Sequence, residues 1–190
     1  MMQIIAGIAR NIVLNVPAGL EVRPTAARSR KALFDSLGDF SGCNVLDLFS
    51  GSGALALEAA SRGAAAITMV ELEPRHLRVI GENLARVQKA GVQCKANLLN
   101  CSALEPRRYS IPAGSPDLIL ADPPYPRSAE FFGRLMRDEF FRMHFASARL
   151  VWELPDTPGA VGLFLEASGP AEMEIRKFGS TSFLLGKVRP

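Results

Sequence analysis

Asn44-Val45-Leu46-Asp47-Leu48-Phe49-Ser50-Gly51-Ser52-Gly53 is a short apolar run broken by one acid and closed by two glycines. An apolar run of that length between turn signals reads as a strand buried on both faces. The glycines let the main chain approach a ligand closely. Ala54 to Arg62 then reads as a helix stopped by Gly63. Strand, glycine turn and helix open a parallel α/β unit, whose ligands bind beyond the carboxyl ends of the strands.

The pattern continues downstream. Ala66 to Leu72 is a second strand with Glu71 near its end, and Pro74 opens a helix reaching about Lys89. Val92 to Ala96 reads as a third strand, Asp117 to Ala121 as a fourth and Arg149 to Leu154 as a fifth. A single helix is expected over 129–145, with Phe131, Phe132, Leu135, Met136, Phe140 and Phe141 as its apolar positions. The proline-rich stretch 105–116 reads as irregular loop, and 173–178 with 183–188 as an antiparallel terminal hairpin around Gly179-Ser180. Upstream, residues 3–16 read as a β-hairpin turning at Gly7 to Asn11. A helix over about 25–38 follows, with Ala32, Leu33, Phe34 and Leu37 as its stripe and Arg28, Arg30 and Lys31 on its other faces. The expected organisation is a hairpin-and-helix extension over 1–40 and an α/β domain over 41–190.

Composition excludes several classes. The chain has 190 residues, 48% hydrophobic and 22% charged, as a globular protein does. No apolar run approaches the roughly 20 residues that span a bilayer, and no signal-peptide pattern opens the chain. Cys43, Cys94 and Cys101 lack C-x-x-C spacing, and His76 and His144 stand apart from other ligand types, so neither disulfides nor a metal is expected. A cytoplasmic address follows. A net charge of +3 permits a polyanionic partner without demanding one.

A glycine turn followed by a strand-end acid about 20 residues on suits a ligand with a ribose, whose hydroxyls Glu71 can accept. That pattern serves a dinucleotide or S-adenosylmethionine (SAM). Asp47 separates them: a carboxylate inside an apolar strand is costly unless paired. A sulfonium ligand with an α-amino group offers it a cationic partner, whereas a pyrophosphate repels it. At the fourth strand, Asp122-Pro123-Pro124-Tyr125 ends the run abruptly, because neither proline has an N–H to pair. A carboxylate, unpaired carbonyls and an aromatic ring in one stiff turn suit a planar group bearing an N–H₂.

The run Val45 to Ala59, with Asp47, Gly51 and Gly53, resembles the first motif of class I SAM-dependent methyltransferases, and Glu71 and Asp122 to Tyr125 fit the same superfamily. Ile4-Ile5-Ala6-Gly7, Arg23-Pro24-Thr25 and Arg30-Lys31-Ala32-Leu33-Phe34 narrow the resemblance to the bacterial RsmD family, which methylates the exocyclic N2 of a guanine in 16S ribosomal RNA. The resemblance implies an α/β, Rossmann-like class I methyltransferase fold: a seven-stranded, mostly parallel sheet with helices on both faces and an N-terminal β-hairpin extension.

It also implies roles. Asp47, Phe49, Ser50, Gly51, Gly53, Glu71, Leu72 and Asp122 would hold SAM, with Asn97, or alternatively Asn100, meeting the adenine amine. Asp122, Pro123, Pro124 and Tyr125 would be catalytic. Arg10, Arg23, Thr25, Arg28 and Arg127 would contact 16S rRNA within the small ribosomal subunit or its assembly intermediate. Adenine-N6 and glutamine-N5 methyltransferases carry a related turn, usually with Asn before Pro-Pro-Tyr. They stand as the enzymatic alternatives, and a non-catalytic RNA-binding assembly factor as the other.

Overall fold

The computed structural model describes residues 2–19, 26–156, 162, 164, 166 and 172–190. Two short strands, β1 (Met2–Gln3) and β2 (Val13–Leu14), pair antiparallel as the N-terminal arm. The helix α1 (Ala26–Leu37) follows. The central units are β3 (Asn44–Asp47), α2 (Ala54–Ser61), β4 (Ala66–Glu71), α3 (Pro74–Lys89), β5 (Lys95–Asn100), α4 (Pro106–Ala113) and β6 (Leu118–Ala121). Then come α5 (Ser128–Arg137), α6 (Glu139–His144), β7 (Arg149–Leu154), β8 (Glu172–Phe178) and β9 (Thr181–Lys187). The seven-stranded sheet has the order β5-β4-β3-β6-β7-β9-β8. β5, β4, β3, β6 and β7 run parallel, β9 pairs antiparallel with β7, and β8 pairs antiparallel with β9.

Alternation along the strands builds two cores. Val45, Ile67, Met69, Leu120, Val151 and Phe183 face one side, where they meet Ala56 and Leu57 of α2, Ile80 of α3 and Leu33 and Phe34 of α1. Leu46, Val70, Ile119, Leu150, Trp152 and Leu184 face the other, against Tyr109 of α4, Phe132 of α5 and Phe141 of α6. Both faces are therefore covered, as a parallel sheet requires.

The arm is bound into the first core. Ile4, Ala9 and Leu14 are buried. The Glu58 carboxylate, wholly buried on α2, accepts from Ile5 N (2.7 Å) and Ala6 N (3.1 Å) and pairs with Arg62 Nε (2.8 Å). Ser61 accepts from Ile8 N at its carbonyl (2.9 Å) and from Ala9 N at its hydroxyl (2.9 Å), and donates to Ala6 O (2.6 Å). Gly7, at φ 81°, makes the close approach possible, because a Cβ there would lie 1.8 Å from Ser61 O.

Four expectations change. The third strand is Lys95–Asn100, not Val92 to Ala96, because its ladder to β4 runs from Ala66↔Lys95 to Glu71↔Asn100. Val92 instead is buried with the end of α3. The stretch 105–116 contains α4: Pro106 occupies the first turn, where its missing N–H costs nothing, and the buried Tyr109 hydroxyl donates to Ala103 O (2.8 Å). The expected helix 129–145 is two, divided at Asp138, whose extended backbone and side-chain bond to Phe141 N (2.8 Å) start α6. On α1, Ala32 is exposed, while Ser29 and Arg30 are buried.

Candidate active site

The carboxyl ends of β3, β4, β6 and β7 open onto one cavity of about 870 Å³. Its floor is the turn after β3. Ser50 N donates to Val70 O (3.1 Å) and Gly53 N to Ser50 O (2.6 Å), which ties the turn to β4. Gly51 and Gly53 both have positive φ, 54° and 79°. A Cβ at Gly53 would press to 3.3 Å on Ile80 and Leu57, so glycine is needed for both conformation and space. The buried Asn83 of α3 donates to Ser52 O (2.9 Å) and Asn15 O (2.8 Å) and accepts from Asn15 N (2.8 Å). One amide thus joins the turn to the end of the arm.

Phe49, Ser50, Gly51, Glu71 and Leu72 all line the cavity. Glu71 accepts from Gly51 N (2.8 Å) and Glu73 N (2.9 Å), with His76 Nδ1 at 3.4 Å. These contacts hold its carboxylate at the mouth of the turn. Leu72 beside it is 68% exposed, an apolar side chain presented to the opening. Phe49 stacks on Phe131 (5.7 Å) and meets the edge of Trp152 (5.6 Å).

Asp47 lies elsewhere: it is wholly buried and is not among the cavity-lining residues. Neither of its oxygens makes a well-formed hydrogen bond. Burial pushes its carboxyl up to about 7, while the nearby Ala56 and Phe49 amides and the Ser50 hydroxyl draw it back toward ionisation.

The second wall is the expected Asp122 to Tyr125 turn, and all four residues line the cavity. Asp122 is exposed, Pro123 buried and Tyr125 half-buried. The Tyr125 hydroxyl donates to Glu153 Oε1 of β7 (2.8 Å), which fixes the ring at its far end. Glu153 stands near the carboxyl end of β7, and its neighbours in sequence indicate no partner for it. The partner becomes visible only when β7 lies beside β6, with Ala121 opposite Trp152.

Other expected residues are scattered. Asn97 falls in the middle of β5 and spends its amide on Thr68 Oγ1 (3.2 Å) and Pro112 O (3.0 Å), outside the cavity lining. Asn100, the last residue of β5, donates to Glu71 O (3.0 Å) and Leu72 O (2.8 Å). Ser102, Ala103 and Leu104 line the cavity at that end, and nothing in their composition marked them. Arg127 is at the rim, held by Glu130 (2.9 and 2.8 Å) and lying over Phe131. Arg10 and Arg28 are exposed and away from the cavity lining. Arg23 and Thr25 lie outside the described residues. Among the described residues, no cluster of His, Cys, Asp and Glu suits a metal, and no helix is long and apolar enough to cross a membrane.

Sheet order, glycine turn and strand-end acid define a Rossmann-like class I methyltransferase fold. The family is specified by comparison. The chain belongs to the family described as conserved hypothetical protein 95, whose model matches residues 2–143, and this is the RsmD family.

It is 37% identical over 127 residues to ribosomal RNA small subunit methyltransferase D of Escherichia coli, a match covering 66% of this chain and 61% of that protein. The chain thus spans about three fifths of the length of that curated relative. A hypothetical protein of Thermus thermophilus has a similar structure at TM-score 0.73 and 28% identity, covering 99% of this chain and 100% of that one. The rRNA methyltransferase aviRa of Streptomyces viridochromogenes, at 18% identity and TM-score 0.69, covers 95% and 91% and shares the fold.

Proposed function

We propose that this protein transfers a methyl group from SAM to the exocyclic N2 amine of a guanine in 16S rRNA, in the cytoplasm, on the small ribosomal subunit or its assembly intermediate. One observation carries the reading. The Glu71 carboxylate and the Asp122 to Tyr125 turn open onto the same cavity from either side of the glycine turn. The family relatives named as rRNA methyltransferases support the substrate class.

The residues present fit SAM. Gly51 and Gly53 leave a floor without side chains, Glu71 is placed to accept ribose hydroxyls, and Leu72 and Phe49 supply apolar surface for the adenosine. Asp47, wholly buried behind the turn and outside the cavity lining, would not pair directly with the ligand's cation. Asn100, at the strand end, spends its amide on Glu71 O and Leu72 O and, like Asn97, is not among the cavity-lining residues. When bound, SAM supplies an activated methyl on a cationic sulfur.

The chain's own work is orientation. A guanine N2 lone pair is delocalised into the ring and is a poor nucleophile. Asp122 and the Pro123 carbonyl accept the two N–H bonds, hold the nitrogen toward the methyl, and favour the geometry in which its lone pair is free. Tyr125, its hydroxyl held by Glu153, stacks on the base, a contact worth about 1–3 kcal/mol. The cofactor's positive charge disappears in the reaction, so alignment and exclusion of water matter more than a strong base. Asp122 remains available to share the released proton.

The test is incubation with labelled SAM and small subunits from a strain lacking the enzyme, followed by mapping of the modified nucleotide. Label on a guanine N2 of 16S rRNA is expected. Label on adenine or on protein, or none, would overturn the proposal.

A further inference from the structure

Two polar side chains on α1 sit on the cavity wall with donors left over. Ser29 is 1% exposed and Arg30 5%, and both line the cavity. Ser29 Oγ and Arg30 Nε have no hydrogen-bond partner among the described residues. Arg30 Nη2 donates to Gln3 O (2.5 Å), while Nη1 faces the Met2 thioether, a weak acceptor on a flexible, cavity-lining chain that a better acceptor can displace. Burial lowers the pKa of this guanidinium, and the nearby Glu58 draws it back up. Buried donors without acceptors are costly, and such groups in a cavity wall mark a place for a ligand's acceptors.

The fold puts this wall beside the substrate turn. Glu153, which holds Tyr125, pairs in register with Phe183 of β9, and both line the cavity on the face that α1 covers. The turn between β8 and β9 closes onto α1, where a Cβ on Gly179 would lie 3.1 Å from Ser29 Oγ. Leu33 and Phe183, both buried, add apolar surface to the same lining. A backbone phosphate keeps its water and meets exposed cations, whereas a dry wall with buried donors suits the edge of a base taken out of its stack.

We propose that Ser29 and Arg30 form a donor wall that reads the O6 edge of the guanine whose N2 amine is held at Asp122. This inference rests on the proposed function. Guanine presents acceptors at O6 and N7, and Arg is the side chain best shaped to meet them. A base with an amine at position 6 meets donors with a donor and is rejected.

The experiment uses the full chain and small subunits reconstituted with 16S rRNA carrying guanine, 2-aminopurine or 2,6-diaminopurine at the methylated position. Both analogues keep the N2 amine. The unsubstituted protein is expected to favour guanine over 2-aminopurine at least about tenfold in kcat/KM. Arg30→Leu is expected to bring that ratio near one, with SAM affinity by calorimetry within about twofold.

Arg30→Gln, whose amide oxygen can accept from a 6-amine, is the second variant should the leucine protein fail to fold. It is expected to raise the 2,6-diaminopurine to guanine ratio at least about tenfold. Unchanged ratios in the variants, or equal loss on all three RNAs, overturn the inference while leaving the proposed function standing. No transfer to any of these RNAs by the unsubstituted protein removes both.

Discussion

Gly7→Ala isolates how the arm is attached. The new Cβ would stand 1.8 Å from Ser61 O and 2.3 Å from Ser61 C, so the backbones must part. Parting breaks the bonds Ile8 N to Ser61 O, Ala9 N to Ser61 Oγ and Ser61 Oγ to Ala6 O. At about 1 kcal/mol each, these sum to roughly 3 kcal/mol, and the left-handed backbone of an alanine adds about 1–2. The expected cost is therefore about 4–5 kcal/mol.

Gly38→Ala is the control. It shares the positive φ (92°) but has nothing within 4 Å of its Cβ, so it should cost about 1–2 kcal/mol. Urea unfolding of both variants measures the difference. Hydrogen exchange at the Ile5, Ala6 and Ala9 amides, whose acceptors are Glu58 and Ser61, tells arm release from global loss. Equal destabilisation of the two variants, with those amides still protected, would refute the close approach as the cause.

At the site, Asp122→Ala should lower methyl transfer by at least about 100-fold, the scale for removing an oriented polar group, while calorimetric SAM affinity changes less than about threefold; parallel loss of both would contradict an orienting role. Glu153→Ala removes the Glu153 acceptor of the Tyr125 hydroxyl, so it and Tyr125→Phe should each slow kcat about tenfold, and the double variant should be no slower than either alone. Additive losses would show that the 2.8 Å bond is not what Glu153 contributes. Asp47, with its carboxyl raised to about 7 by burial, binds a proton more readily folded than unfolded. Stability should therefore fall as pH rises from about 4 to about 7, by up to about 4 kcal/mol. Asp47→Asn should flatten that window in pH-dependent urea titrations, and superimposable curves would rule the burial argument out.

Local sequence carries much of this molecule because its signals are backbone ones. Gly51 and Gly53 after Val45 to Phe49 must turn, and Pro123-Pro124 after Leu118 to Ala121 must stop a strand, wherever the rest of the chain goes. The terminal hairpin and the five parallel strands follow from the same logic. Boundaries set by pairing were not local. β5 begins at Lys95 because β4 offers its ladder there, and the shift moves Asn97 to mid-strand and brings Asn100 to its end. Pro106 and Pro112 disguised α4, which is stabilised by Tyr109 packing against Phe145 at 5.9 Å.

The sequence by itself determined that a glycine turn, a strand-end acid and an Asp-Pro-Pro-Tyr stop sit at the same edge of a parallel sheet. Period, turn chemistry and the alternation of strand with helix need no knowledge of distant contacts. Only the tertiary structure decided which side chains meet there. Glu153 reaches Tyr125 across the β6–β7 pairing, Asn83 joins the arm to the glycine turn, and Arg30, a surface charge by its neighbours in sequence, is buried because the arm folds over it. Burial of a polar group depends on what covers it, and the covering element comes from elsewhere in the chain.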